Sequence, residues 1–154
     1  MQFFCDVMLG RLAKHLRMLG IDTKYSRSIS ESVLKKMSLD ENRTVLTRRT
    51  KFLELKKPVP FCFINSNNPE TQITEVIKHF NILADDLVPF SLCLLCNSAL
   101  EDVDRNLAEG KVPDYVFNSI EKFSQCPACG RIYWQGTHYK NMSKRVLDFL
   151  QGRD

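Results

Sequence analysis

The apolar positions along the chain change period several times, and each change marks an element. Phe3-Phe4-Cys5 is a continuous apolar run ending at Asp6, which predicts a short buried strand over residues 2–7. From Met8 to Leu19 the period lengthens. Leu9, Leu12, Ala13, Leu16 and Leu19 fall at helical spacing, Arg11, Lys14 and Arg17 share another face, and Gly20 ends the helix. Thr23 to Tyr25 reads as a short strand. Ser28 with Glu31 fits a capping box, and Ile29, Val33 and Met37 then form the inner face of a second helix. Thr44 to Thr47 is a strand, residues 48–56 a short basic helix, and Phe61 to Ile64 another buried strand. Asn68 is a good N-cap with Pro69 at the first helical position, before Ile73, Val76, Ile77 and Phe80 on one face.

The alternation β-α-β-α-β-α-β-α predicts an α/β fold, a parallel sheet flanked by helices. Its span is residues 1–88. Residues 89–154 lose the pattern and are expected to form a smaller unit, with a short helix starting at Pro113, a strand over 131–135 and a final helix over 138–150. That last helix carries Tyr139, Met142, Val146, Phe149 and Leu150 on one side.

Four of the six cysteines explain the change. Cys93-Leu-Leu-Cys96 and Cys126-Pro-Ala-Cys129-Gly130 are two C-x2-C turns separated by 29 residues. Each turn offers two thiolates along one edge of a tetrahedron, and two turns close a zinc site. Four thiolates leave no position for water, so such a zinc is structural. Two disulfides are the competing arrangement, disfavoured inside a cell. His138 is a possible substitute ligand. Cys5 and Cys62 lie in apolar stretches and read as core residues.

The net charge of +4 is uneven. Residues 1–57 hold 13 Lys and Arg against 6 Asp and Glu, and the remainder is net negative. A basic half points to a polyanion such as RNA, with Arg11, Lys14, Arg17, Arg48, Arg49 and Lys51 as candidate phosphate contacts. No apolar run is long enough to cross a membrane. The N-terminus has no secretory pattern, so a cytoplasmic or nuclear location is expected.

Chemistry in a parallel sheet gathers beyond the carboxyl ends of the strands. Asp6 ends the first strand, where it can hold a metal or cap the helix that follows. Phosphodiester hydrolysis by Mg²⁺ or Mn²⁺ needs further carboxylates, and Asp22 and Glu31 are the candidates to join it. The third strand ends in Thr47-Arg48-Arg49, which suits phosphate rather than a divalent ion.

Several segments together resemble the C-terminal domain family of the Mut-7 exoribonucleases. They are the run from Met8 to Asp22, Leu46-Thr47-Arg48, Cys93-Leu-Leu-Cys96-Asn97, Val112-Pro113-Asp-Tyr115, and Cys126 through His138. The resemblance extends from about Cys5 to Met142. It implies a PIN-like α/β domain carrying a zinc ribbon, a ribonuclease-type site at Asp6 and Asp22, and roles beside 3′–5′ exonucleases in small-RNA pathways. One departure stands out. The family motif commonly reads Leu-Thr-Arg-Asp, and Arg49 occupies the place of that Asp. The stretch from Tyr25 to Ser28 likewise lacks acids common among relatives. The first expectation is therefore an RNA-binding domain with a degenerate nuclease site, supporting a linked or partner exoribonuclease. The alternatives are an active Mg²⁺- or Mn²⁺-dependent ribonuclease, and a protein-interaction module docking through Tyr133 and Trp134.

Overall fold

The computed structural model describes residues 1–54 and 59–150, without the side chains of 138, 139, 142 and 149. The expected helix end at 55–56, the alternative ligand His138 and the helix-face residues Tyr139, Met142 and Phe149 therefore lie outside the described groups.

Four strands, β1 (Gln2–Cys5), β2 (Asp22–Tyr25), β3 (Thr44–Thr47) and β4 (Phe61–Phe63), form one sheet in the order β2-β1-β3-β4. All neighbours run parallel. Helices α1 (Gly10–Met18) and α2 (Glu31–Asp40) make the β1–β2 and β2–β3 connections, and α3 (Pro69–Phe80) follows β4. The central strands carry Phe3-Phe4-Cys5 and Val45-Leu46 as continuous apolar runs because both faces are covered. Phe3, Cys5, Leu46 and Cys62 pack on one side with Leu12, Leu16, Ile73 and Ile77 of α1 and α3. Phe4 and Val45 pack on the other with Leu34 of α2, Phe52 and Val59. The period-2 alternation of each strand thus divides the molecule into two cores.

The start of α2 differs from expectation. Its N-cap is Ser30, whose hydroxyl accepts from the Val33 N–H, and not Ser28. Glu31 pairs with Lys35 one turn on, so no capping box forms. Ile29 and Met37 pack on the second core as expected, Leu34 and Ser38 complete the inward face, and Val33 is instead 48% exposed. Ser38 escaped the hydrophobic pattern because it is polar. Its hydroxyl donates to the Arg43 carbonyl and closes the helix end. The basic segment after β3 is a 3-10 turn, Thr50–Glu54. At α3 the expectation holds, with the Asn68 side chain accepting from the N–H groups of Glu70 and Thr71.

Beyond α3 a second, antiparallel sheet forms from β5 (Glu101–Val103), β6 (Phe123–Gln125) and β7 (Ile132–Tyr133). With α4 (Asp114–Ser119), which begins after Pro113 as expected, it encloses a small core of Ala108, Val112, Val116 and Phe123. Trp134 packs against that core. The last helix, α5 (Thr137–Leu150), returns to the first core through Val146 and Leu150. Among the described residues no helix is long and apolar enough to cross a membrane.

Candidate nucleic-acid interface and metal centre

Asp6 leaves the end of β1 fully buried. One carboxylate oxygen accepts from the Val7 N–H at 2.7 Å, so Asp6 does cap the turn that leads into α1. The same oxygen lies 2.8 Å from Nη2 of Arg49. The other accepts from the Thr47 hydroxyl at 2.8 Å, and that hydroxyl accepts from the Arg49 N–H at 3.0 Å. Thr47 and Arg49 come from the end of the neighbouring strand β3, which is why these groups meet. The guanidinium also donates to the Ile29 carbonyl at 3.4 Å. A buried carboxylate needs a counter-charge, and here Arg49 supplies it.

The other two carboxylates do not join Asp6. Asp22 opens β2, level with Gln2 at the start of β1. At about 3.3 Å per residue this places it roughly 13 Å away, at the opposite edge of the sheet. There it is saturated. Arg43 grips it through both terminal nitrogens at 2.8 and 3.0 Å, Asn97 donates at 2.5 Å and Gln2 at 2.9 Å. Partial burial pushes its carboxyl up, but the bonds from Arg43 and Asn97 outweigh that and hold it below the usual range. Glu31 is tied to Lys35, which lowers its pKa. Among the described residues the only cluster of three or more His, Cys, Asp or Glu able to hold a metal is the cysteine cluster. The expected Mg²⁺ or Mn²⁺ site from Asp6, Asp22 and Glu31 is not assembled.

The cations also sort themselves. Arg17 is not on the phosphate-facing surface. It is 4% exposed, with Nε donating to the Thr23 carbonyl at 2.7 Å and Nη1 to the carbonyls of Leu94 and Leu95 at 2.7 and 3.0 Å. Arg48 donates to the carbonyls of Asn65 and Ser66 after β4, a turn whose N–H groups bond Glu75. Arg11 and Lys14 are exposed on α1, and Lys51 is exposed beside α2. Arg11 and Lys14 border a groove of about 440 Å³ at the carboxyl edge of the sheet, with Met8, Tyr25, Asn67 and Arg27. Arg27 escaped the sequence reading, although its place just past the end of β2 marks it under the strand-end rule. Gly10 is required here, because a Cβ would lie 2.8 Å from the Tyr25 ring.

The four cysteines come together as expected. Their sulfurs all lie within 4.8 Å of one another. Cys93 and Cys129 are 3.8 Å apart, which is the edge of a tetrahedron with Zn–S bonds of about 2.3 Å. The two turns are built alike. The Asn97 N–H bonds the Cys93 carbonyl at 2.9 Å, and the Gly130 N–H bonds the Cys126 carbonyl at 2.8 Å. Asn97 and Gly130 both sit in the left-handed region, at φ 63° and 71°. Burial pushes the Cys93 thiol up, but the Tyr133 hydroxyl at 3.1 Å and backbone N–H groups prevail and favour its thiolate. Asn97 further accepts from the Thr23 N–H at 2.9 Å, fastening the first turn to β2.

The family model of the Mut7-C RNAse domain matches residues 1–146. This chain belongs to the Mut7-C RNAse domain family. It is thus a ribonuclease-type domain whose α/β sheet carries a four-cysteine centre able to bind a metal such as zinc. No curated protein and no solved structure matches the chain. Within a Mut7-C RNAse domain, the pairing of Asp6 with Arg49 bears directly on whether the edge of the sheet can hydrolyse RNA.

Proposed function

We propose that this Mut7-C domain binds single-stranded RNA at the carboxyl edge of its sheet, at a nuclease centre converted into an internal ion pair. The single observation carrying this reading is the 2.8 Å contact between Arg49 and Asp6. A guanidinium there repels a divalent ion and occupies the oxygen that would ligate it. Without the metal, nothing activates water or offsets charge on the leaving oxygen. What remains is a positive groove, with Arg11, Lys14 and Arg27 available to phosphates. Arg49 and Arg48 support this groove from within, and Lys51 extends the charge beyond it. The cysteine centre holds a structural zinc. Such a domain retains RNA for a linked or partner 3′–5′ exoribonuclease in RNA processing or small-RNA silencing.

The test uses end-labelled single-stranded RNA with and without Mn²⁺, on wild type, Asp6→Asn and a double charge reversal of Arg11→Glu with Arg27→Glu. Wild type is expected to retard the RNA uncut under both conditions, and the double reversal to lose retardation. Mn²⁺-dependent cleavage by wild type that disappears in Asp6→Asn overturns the degenerate-site reading in favour of an active ribonuclease. RNA neither retarded nor cut overturns the RNA reading itself.

A further inference from the structure

A second groove, of about 540 Å³, lies between α1 and the small antiparallel sheet. It is bordered by Lys14, Leu95, Lys111, Arg131, Ile132 and Trp134. Lys14 also borders the groove at the sheet edge, so the two meet on α1. No carboxylate lines either one. Lys14, Lys111 and Arg131 are exposed, and among the described residues none is in an ion pair. The composition makes this unexpected. Residues 58–154 carry 9 Lys and Arg against 12 Asp and Glu, yet this groove is lined by two of those cations and by none of the acids. Trp134 is half-buried, packing on the small core and also bordering the groove.

A positive trough with an aromatic face along it is the form that binds single-stranded nucleic acid without sequence preference. The cations follow the phosphates, and any base can stack on the ring. We propose that the RNA strand does not end at the sheet edge. It crosses α1 at Lys14 and continues over the cysteine-rich unit, with phosphates at Lys111 and Arg131 and a base against Trp134. This rests on the RNA-binding reading above and extends it to the path and length of the strand.

Trp134 is the single tryptophan of the chain, so the protein's tryptophan emission comes from a wall of this groove. The experiment titrates the zinc-loaded protein with fluorescein-labelled oligouridylate of about 15 nucleotides, a length in the range of single-strand sites. Anisotropy of the label reads total binding, and Trp134 emission reads the second groove. The expected result is binding with quenching of Trp134. Lys111→Glu with Arg131→Glu then weakens binding about tenfold and lowers the salt slope by roughly 1.4, two phosphates at about 0.7 each. Both residues are exposed, so the double variant keeps its fold, checked by zinc content and circular dichroism. Binding without quenching, and unchanged in the double variant, overturns the extended path while leaving the sheet-edge reading intact. Absence of binding overturns both. Equal quenching by polyglutamate overturns the proposal in favour of an acidic protein partner.

Discussion

Replacing Arg17 by Met tests how the cysteine-rich unit is held on the α/β sheet. The side chain is 4% exposed and makes three hydrogen bonds to carbonyl groups, one on β2 and two on the residues between Cys93 and Cys96. Met keeps much of the apolar stem and removes all three donors. A bond from a charged donor contributes about 1.5–3 kcal/mol. The three share one guanidinium and are not additive, and water reaches some of the freed carbonyls. A net loss of about 3 kcal/mol follows, close to one strong bond plus partial desolvation of the rest. For a chain of this size that lowers Tm by roughly 6–12 °C. The effect on the metal is separate. Leu94 and Leu95 form the first cysteine turn, so loosening their carbonyls weakens zinc binding by about tenfold, in the range for groups that orient metal ligands. Urea denaturation measures the first effect and competition with a colorimetric chelator the second. Arg17→Lys, which has no planar fork, is expected to recover only part of either. A stability change below about 0.5 kcal/mol with unaltered zinc affinity refutes this account of Arg17.

Three further outcomes follow from the same structure. Arg49→Ala leaves the buried Asp6 carboxylate without its counter-charge and costs about 3 kcal/mol in urea denaturation, most of which Asp6→Asn restores in the double variant; additive losses would show that the pair does not interact. Asp22, with an ordinary value of 3.8, has a lowered pKa in the folded chain, so its contribution is present above about pH 4 and fades as pH falls through the folded value. Asp22→Asn therefore flattens the acid limb of the stability curve, and a limb of unchanged steepness contradicts this. Cys96→Ser opens the metal centre, and it is expected to lower zinc content and melt the small antiparallel sheet before the parallel one, read by hydrogen exchange of β6 against β3.

Much of the fold was legible because continuous apolar runs and helical stripes alternate from Phe3 to Phe80. The face of α2 was legible in part, at Ile29 and Met37, but its buried Ser38 looks like a surface residue until its bond to the Arg43 carbonyl is known. Strands β5 and β6, Glu-Asp-Val and Phe-Ser-Gln, are too short and polar to carry a period. The metal centre needed only the spacing of two turns. Asp6 was legible from its place at a strand end, whereas Asp22 lies at a strand start, and only the parallel register reveals that these are opposite edges. Charge alone does not tell a phosphate contact from an internal donor. Arg17 and Arg48 each serve carbonyls brought near by distant segments, which no local pattern records. That Arg49 departs from the acid the family resemblance implies belonged to the sequence reading. That it lands on Asp6 depended on β1 and β3 lying side by side.

The Asp6–Arg49 contact also determines what this edge of the molecule responds to. A dissociable cation sits on a carboxylate only as often as its free concentration allows, so a site that depends on one gains and loses it as cellular magnesium or manganese varies. Arg49 is attached to the same chain and does not diffuse away. On the proposed reading the sheet edge keeps one ionic state in place of two, and chelators or changes in mineral supply leave its shape as it was. The cysteine centre differs in kind, because its four sulfurs lie within 4.8 Å of one another and are able to hold a metal such as zinc.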